Sequence, residues 1–415
     1  MQANRHQRLA LTALIALFFM WGLITVLNDI LIPHLKALFS LDYVEAMLIQ
    51  FCFFMAYGIM SIPSGKILQK LGYKRSLFWA LFIAAFGCLL FLPAATFHSY
   101  FLFLLGLFVL ATGIVLLQVS ANPYVALLGD AKHASSRLNL AQAFNSLGTT
   151  IGPLIGSSIV LAAAGTGARG IEGLYISLAL LLILIAFGIR AVHLPEILPE
   201  QYEHLQKEIV KNADEAEIVR FLKTRLHKVW RFPHLFYGVG AIFFYVGGEV
   251  SIGSMLVNYL SDPQIGNMSQ VEAGAHVSYY WGGAMLGRFI GYLLLKRFGS
   301  RKLLAIHSVA ALILLATTLL STGPLAVWSV LAIGLFNSIL FPTIFALAIR
   351  GLDRFTPQGS GLLCTAIVGG ALLPLIQGFA ADRIGIHASF IVPIACYLYI
   401  LFYAARGSLA YCRIK

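Results

Sequence analysis

The sequence predicts an all-α membrane protein of twelve transmembrane helices arranged as two pseudo-symmetric six-helix bundles. Three observations carry that prediction: the composition, the train of long apolar runs, and a likeness between the two halves of the chain. Of 415 residues, 59% are hydrophobic and only 11% charged, well outside the range of soluble domains. The apolar runs each reach roughly the 20 residues that a bilayer core requires of a helix. Ten-residue alternating segments, the mark of a membrane β-barrel, do not occur in this sequence.

Hydropathy draws the first six spans at Leu9–Pro33, Val44–Leu68, Leu77–Ala95, Tyr100–Leu128, Leu138–Ala164 and Gly173–Leu194, and residues 1–195 form the N-terminal bundle. Because the first run lacks a small-residue cleavage site, it reads as a retained span and not a signal peptide. Residues 196–232 hold charges of both signs, the pattern of a cytoplasmic linker. Six further spans follow at Pro233–Leu260, Val271–Leu295, Leu303–Ser321, Leu325–Ile349, Gly359–Ala381 and Ala388–Ala405, so that residues 233–415 form the C-terminal bundle.

The halves repeat one another. Leu68, Lys70, Gly72, Lys74 and Arg75 after the second span correspond to Leu295, Arg297, Gly299, Arg301 and Lys302 after the eighth. The stretch from Leu147 matches that from Val368 in a glycine and a Pro-Leu-Ile. Parallel six-span repeats are the mark of two-bundle transporters that bind their substrate near the bilayer midplane.

A net charge of +12 raises nucleic acid as a partner. The basic residues instead lie in short loops between spans. With both termini cytoplasmic, Lys66, Lys74, Arg75, Lys132, Arg137, Lys296, Arg301, Arg350 and Arg354 fall inside, and the opposite loops keep only Lys36, Arg169 and Arg383. That asymmetry is the positive-inside pattern of a multi-pass protein in a lipid bilayer. The five cysteines lie in or beside apolar spans without CxxC spacing, so neither a disulfide framework nor a metal site is indicated.

Polar residues inside the spans point to the chemistry. Of seventeen acidic residues, all but Asp29 and Glu249 lie in the linker, in loops or at span ends, and these two remain inside spans. A carboxylate at the centre of a membrane helix costs about 2.5 to 3.5 kcal/mol on insertion scales and is functional by default. In a desolvated site it takes up a proton or, ionised, coordinates a cation. The alternatives are a fixed ion pair for Asp29 and, for Glu249 between Gly247, Gly248 and Gly253, a helix-packing segment.

Gln118 and Asn122 share a face of the fourth span beside Pro123, whose missing N–H releases a carbonyl. Asn139, Gln142, Asn145 and Thr149 draw a polar stripe down the fifth. Amides offer paired donors and acceptors to a ligand rich in hydroxyls, although hydrogen bonding between helices is the competing explanation. Trp21, Tyr245, Tyr280 and Trp281 offer rings to the C–H face of a sugar. Asn337 and Pro342 in the tenth span stand where Asn122 and Pro123 stand in the fourth, and Arg288 lies within the eighth span.

Several stretches together resemble the fucose:proton symporter family of the major facilitator superfamily, and especially its glucose/galactose transporter branch. They are TrpGly at Trp21 followed by LeuAsnAspIleLeuIlePro around Asn28 and Asp29, AlaAsnProTyrValAlaLeuLeuGly at Ala121, ArgLeuAsnLeuAlaGlnAlaPheAsnSerLeuGly at Arg137, and PheProThrIlePhe at Phe341. The resemblance covers nearly the whole chain and implies the major facilitator fold in a bacterial inner membrane. It further implies cation-coupled uptake of a hexose such as glucose, galactose or mannose by a monomer, with H⁺ or Na⁺ as the coupling ion and no cofactor.

On that resemblance Asp29 handles the coupling ion, and Gln142 and Asn145 are sugar-site positions. One departure stands out: fucose permease-like members carry a glutamate where this chain has Gln118, and look to carry glutamine where it has Glu249. The expected ion-coupling pair is therefore Asp29 and Glu249, and the expected sugar contacts are Asn28, Gln118, Asn122, Gln142, Asn145, Tyr245, Trp281 and Asn337. The rival readings are an L-fucose:proton symporter and a membrane sugar sensor that does not transport. No HExxH, nucleophile elbow or phosphate-binding loop marks an enzyme.

Overall fold

Residues 10–25, 43–97, 99–164, 168–192, 229 and 232–414 are described in the computed structural model. Asn28 and Asp29 lie outside the described residues, as does the 196–232 segment apart from Val229 and Phe232. Every regular element among the described residues is helical. The N-terminal half comprises α1 (Ala10–Thr25), α2 (Tyr43–Thr96), α3 (Tyr100–Leu127), α4 (Ala134–Ala164) and α5 (Ala168–Ala191). The C-terminal half comprises α6 (Pro233–Ser261), α7 (Gln270–Arg297), α8 (Ser300–Leu320), α9 (Gly323–Asn337), α10 (Leu340–Ala348), α11 (Thr356–Thr365), α12 (Gly369–Ile384) and α13 (Ile391–Ala405).

The second and third expected spans run together as the 54 residues of α2, interrupted at Gly72. A straight helix of that length would be about 80 Å long, far more than one crossing needs. It turns back at Gly72, where φ is 75° and ψ 172°, a conformation that glycine adopts without steric cost. The repeat-matched Gly299 does something different: with φ of −65° it caps the start of α8. With α2 as two passes, and α9 joined to α10 and α11 to α12 as single interrupted passes, the expected twelve crossings are accounted for.

Helix ends are satisfied locally. Ser99 Oγ accepts the Leu102 N–H at the start of α3 (3.4 Å), and Ser269 Oγ accepts the Glu272 N–H at the start of α7 (3.3 Å). At the far end of α3, Arg137 reaches back from α4. Its Nε donates to Val125 O (3.3 Å), its Nη2 to Ala126 O (2.6 Å) and its Nη1 to Asp130 O (2.7 Å). These take up carbonyls that a terminating helix leaves without partners.

Within the N-terminal half, α2 and α3 pack backbone to backbone. A Cβ on Gly113 would lie 2.4 Å from the Ala84 nitrogen, so only glycine permits that approach. Large apolar side chains such as Phe86, Leu184, Phe187, Leu293, Ile313 and Phe379 are exposed, which suits a surface bathed in lipid. Polar side chains collect inside: Ser120, Asn122, Asn139, Asn337, Ser338, Thr343 and Ser360 are all buried.

The two halves meet along α2 and α3 against α11, and α4 against α7. Gln358 Nε2 donates to Gln69 Oε1 (3.0 Å), Ser360 Oγ to Val119 O (2.7 Å), Ser136 Oγ to Tyr292 O (2.8 Å) and Asn139 Nδ2 to Arg288 O (2.6 Å). These contacts lie toward the end of the molecule that carries the basic loops at 66–75, 130–137, 296–302 and 350–354. At that end the bundles are closed on each other.

Candidate functional site

The C-terminal half builds a polar array around one acid. Glu249 sits midway along α6 and is half-buried, with Tyr245 one turn before it on the same face. The Tyr245 hydroxyl has two acceptors in range, Glu249 Oε1 at 2.8 Å and Asn337 O at 3.1 Å. Asn337 ends α9, where the tenth pass breaks at residues 338 and 339. Its Nδ2 donates to the Tyr280 hydroxyl (2.8 Å), and its Oδ1 accepts from the Tyr397 hydroxyl. Tyr280 in turn donates to Glu249 O at 3.4 Å.

Four helices thus converge on Asn337 and Glu249, and Tyr245, Tyr280, Tyr397 and Asn337 are fully buried. The arrangement has a chemical consequence. Tyr245 has one proton for two acceptors, so an ionised Glu249 holds that proton. A protonated Glu249 would instead donate to Tyr245, leaving the Tyr245 hydroxyl to donate its hydrogen bond to Asn337 O. The Tyr245 hydroxyl therefore links the Glu249 carboxylate to the break in the tenth pass.

That break is clasped on three successive carbonyls. His307 Nδ1 donates to Phe336 O (3.1 Å), Tyr245 to Asn337 O, and Arg288 Nε to Ser338 O (3.4 Å). Arg288 Nη1 also donates to Ser146 Oγ on α4. The arginine read from sequence as a residue inside the eighth span is a bridge between the two halves.

The N-terminal half presents amides. Gln118 and Asn122 are buried on α3, and Gln118 Oε1 and both side-chain polar atoms of Asn122 have no hydrogen-bond partner among the described residues. A buried polar atom without a partner costs about 1 to 3 kcal/mol, a cost that a hydrogen-bonding partner at these atoms would relieve. Gln142 is buried one turn before Ser146 on α4, and its carbonyl accepts from Ser146 Oγ (3.1 Å).

The stripe expected along α4 is divided by its partners. Asn139 bonds to α7, and Asn145 Nδ2 donates to Phe18 O on α1 (2.9 Å). Helix α1 lies close there, since a Cβ on Gly22 would sit 2.1 Å from the Asn145 carbonyl oxygen. For these two residues the bonding between helices weighed above is what the structure contains.

The aromatic candidates divide as well. Trp281 is 44% exposed on α7, against Gly253 and edge-on to Tyr280 at 5.1 Å. Trp21 packs among Leu17, Met20, Leu81, Ile114 and Leu182 inside the N-terminal half. Sequence reasoning missed Tyr397, Ser146, Ser338 and Ser360. A tyrosine among three in the apolar α13 and single serines in apolar runs carry no sequence signal, because their partners lie on distant passes.

Residues 9–367 match the model of the Major Facilitator Superfamily. The chain is 50% identical over 406 residues to a glucose/galactose transporter of Brucella abortus, covering 98% of this chain and 96% of that protein. It is 32% identical over 425 residues to the L-fucose-proton symporter of Escherichia coli, covering 97% and 93%. Among solved structures, FucP in the outward conformation matches with a TM-score of 0.83 and 30% identity, covering 97% of this chain and 99% of that one.

Proposed function

The chain belongs to the Major Facilitator Superfamily, and from that premise we propose that it is a multi-pass sugar transporter that imports a hexose together with a cation by alternating access. The observation that carries this reading is the opposition of two unlike surfaces. The C-terminal half holds one acid, Glu249, in a shell of buried tyrosines, and the N-terminal half holds buried amides whose polar atoms lack partners.

Gln118, Asn122 and Gln142 bind sugar hydroxyls, with Asn145 holding α1 beside them and Trp281 offering a ring. Asn28 joins them from the first pass. Tyr245 and Asn337, expected from sequence as sugar contacts, are proposed instead to hold Glu249 from behind, because their polar atoms are already spent on one another. Glu249 and Asp29 handle the ion.

Hexose is preferred over fucose for two reasons. The glucose/galactose transporter is 50% identical and the fucose symporter 32%, and Gln118 is neutral where the fucose permease-like pattern carries an acid. H⁺ is preferred as the coupling ion because the relative named a symporter is named for the proton and because Glu249 and Tyr245 can exchange one. Na⁺ held by the ionised carboxylate is the second reading. The basic loops face the cytoplasm, and the membrane is a bacterial inner membrane.

The test is uptake into proteoliposomes with a panel of glucose, galactose, mannose and fucose, under a pH gradient and a Na⁺ gradient in turn. The expected outcome is accumulation of unmodified hexose driven by the pH gradient. Binding without accumulation under either gradient supports the sensor and removes this reading.

A further inference from the structure

Proline lacks an N–H, so within a helix it releases the carbonyl four residues before it. Pro123 in α3 releases Val119 O, and Pro342 in α10 releases Ser338 O. Each of these carbonyls is taken by a side chain from another helix, and each arrangement involves both halves of the protein. Val119 O, in the N-terminal half, accepts from Ser360 Oγ of α11 at 2.7 Å. Ser338 O, in the C-terminal half, accepts from Arg288 Nε at 3.4 Å, and the same guanidinium donates through Nη1 to Ser146 of α4.

Pro123 and Pro342 occupy the fourth and tenth passes, which correspond in the repeat. Ser360, Val119, Ser338 and Ser146 are buried, and both clasps lie where the bundles are closed on each other. Nearby, Gly65 and Gly361 allow α2 and α11 to touch at backbone distance: a Cβ on Gly361 would lie 2.7 Å from Ser61 O.

We infer that Ser360 and Arg288 are positioning residues of the transport cycle, forming a paired latch that holds the two bundles together: Ser360 bonds the carbonyl released by Pro123 across the seam, and Arg288 ties the carbonyl released by Pro342, in its own half, to Ser146 of the other. In the closed arrangement the carbonyl released by Pro123 has its donor in the other bundle, and the carbonyl released by Pro342 shares its donor with Ser146 of the other bundle. When the bundles part at this end, the Ser360 bond to Val119 and the Arg288 bond to Ser146 break together, and the vacated groups face the opening cavity, where water or sugar replaces the lost donor. Pro123 thereby makes this clasp dependent on the opposite bundle: with an N–H at position 123, Val119 O would be satisfied in both states and Ser360 would hold nothing.

The latch rests on the alternating-access reading above, but its test needs neither sugar nor a gradient. Ser61, fully buried on α2 beside α11, is changed to cysteine in the full chain. Its alkylation rate in proteoliposomes is followed by peptide mass, which separates it from the native thiols. Ser360→Ala should raise that rate about five-fold or more, the effect of leaving a buried carbonyl unbonded in one state only. In a Pro123→Ala background the same change should move the rate by less than about two-fold, and Ser146→Ala should raise it as Ser360→Ala does.

Ser120→Ala, which removes a hydroxyl bonded, among the described residues, only to Leu116 O of its own helix, should leave the rate at the parent value. An unchanged rate in Ser360→Ala, or an equal rise with and without Pro123, overturns the Ser360 half. An unchanged rate in Ser146→Ala overturns the Arg288 half. Loss of sugar uptake in the parent protein would remove the transport reading and leave these rates to be judged separately.

Discussion

The hydroxyl of Tyr245 lies 2.8 Å from the carboxylate of Glu249 one turn along the same helix, and 3.1 Å from the carbonyl of Asn337 at the break in another. A single proton shared among three oxygens ties the charge of Glu249 to the shape of the tenth pass. A hydrogen bond to a charged group contributes about 1.5 to 3 kcal/mol. Tyr245→Phe should therefore lower gradient-driven uptake by roughly ten-fold or more while sugar counterflow persists. Counterflow lost in the same proportion would assign Tyr245 to sugar binding.

Asn337 is predicted to matter for stability more than for sugar choice. Its amide serves Tyr280 and Tyr397, both buried. Asn337→Ala leaves those two hydroxyls short of partners and should destabilise the purified protein by about 2 to 4 kcal/mol, read as a fall in detergent-solubilised Tm. The ranking of sugars in competition should be unchanged.

Asn122 should behave in the opposite way. Both of its side-chain polar atoms are buried without a partner among the described residues, so Asn122→Ala removes no internal hydrogen bond. Thermal stability should hold or rise, while the KM for sugar increases about ten-fold, the effect of losing one hydrogen bond of about 1.4 kcal/mol. A fall in stability with unchanged KM would make Asn122 a packing residue.

Arg137 tests the frame that carries Asn122. It closes the end of α3 with three hydrogen bonds to Val125, Ala126 and Asp130 carbonyls. Arg137→Ala should cost about 2 to 3 kcal/mol and depress yield in the membrane. Arg137→Lys should recover only part of it, since an ammonium cannot span the three acceptors as a guanidinium does.

What sequence reveals here follows from contrast. Glu249 was legible because a charge in an apolar run is conspicuous, and the twelve passes were legible because the bilayer demands their length. Pro123 and Pro342 could be read as places where carbonyls are released. Their partners could not be read, because Ser360 is 241 residues from Val119 and Arg288 is 50 from Ser338, and a serine in an apolar run has no distinguishing pattern. Tyr245 and Asn337 were found for a chemistry that suited a sugar, yet burial and mutual bonding turn them toward Glu249. The division of the α4 stripe between α1 and α7 depends on which helices flank it, which is a property of the packed bundle.

The most direct test of the central claim is the pair of assays on Glu249→Gln in proteoliposomes. The substitution keeps the shape of the side chain and a hydrogen-bonding partner for Tyr245 but removes the exchangeable charge. The account predicts that accumulation of hexose against its gradient is abolished while counterflow of labelled sugar continues near the parent rate. Accumulation that survives unaltered under a pH gradient would contradict the role given to Glu249 and the coupling built upon it.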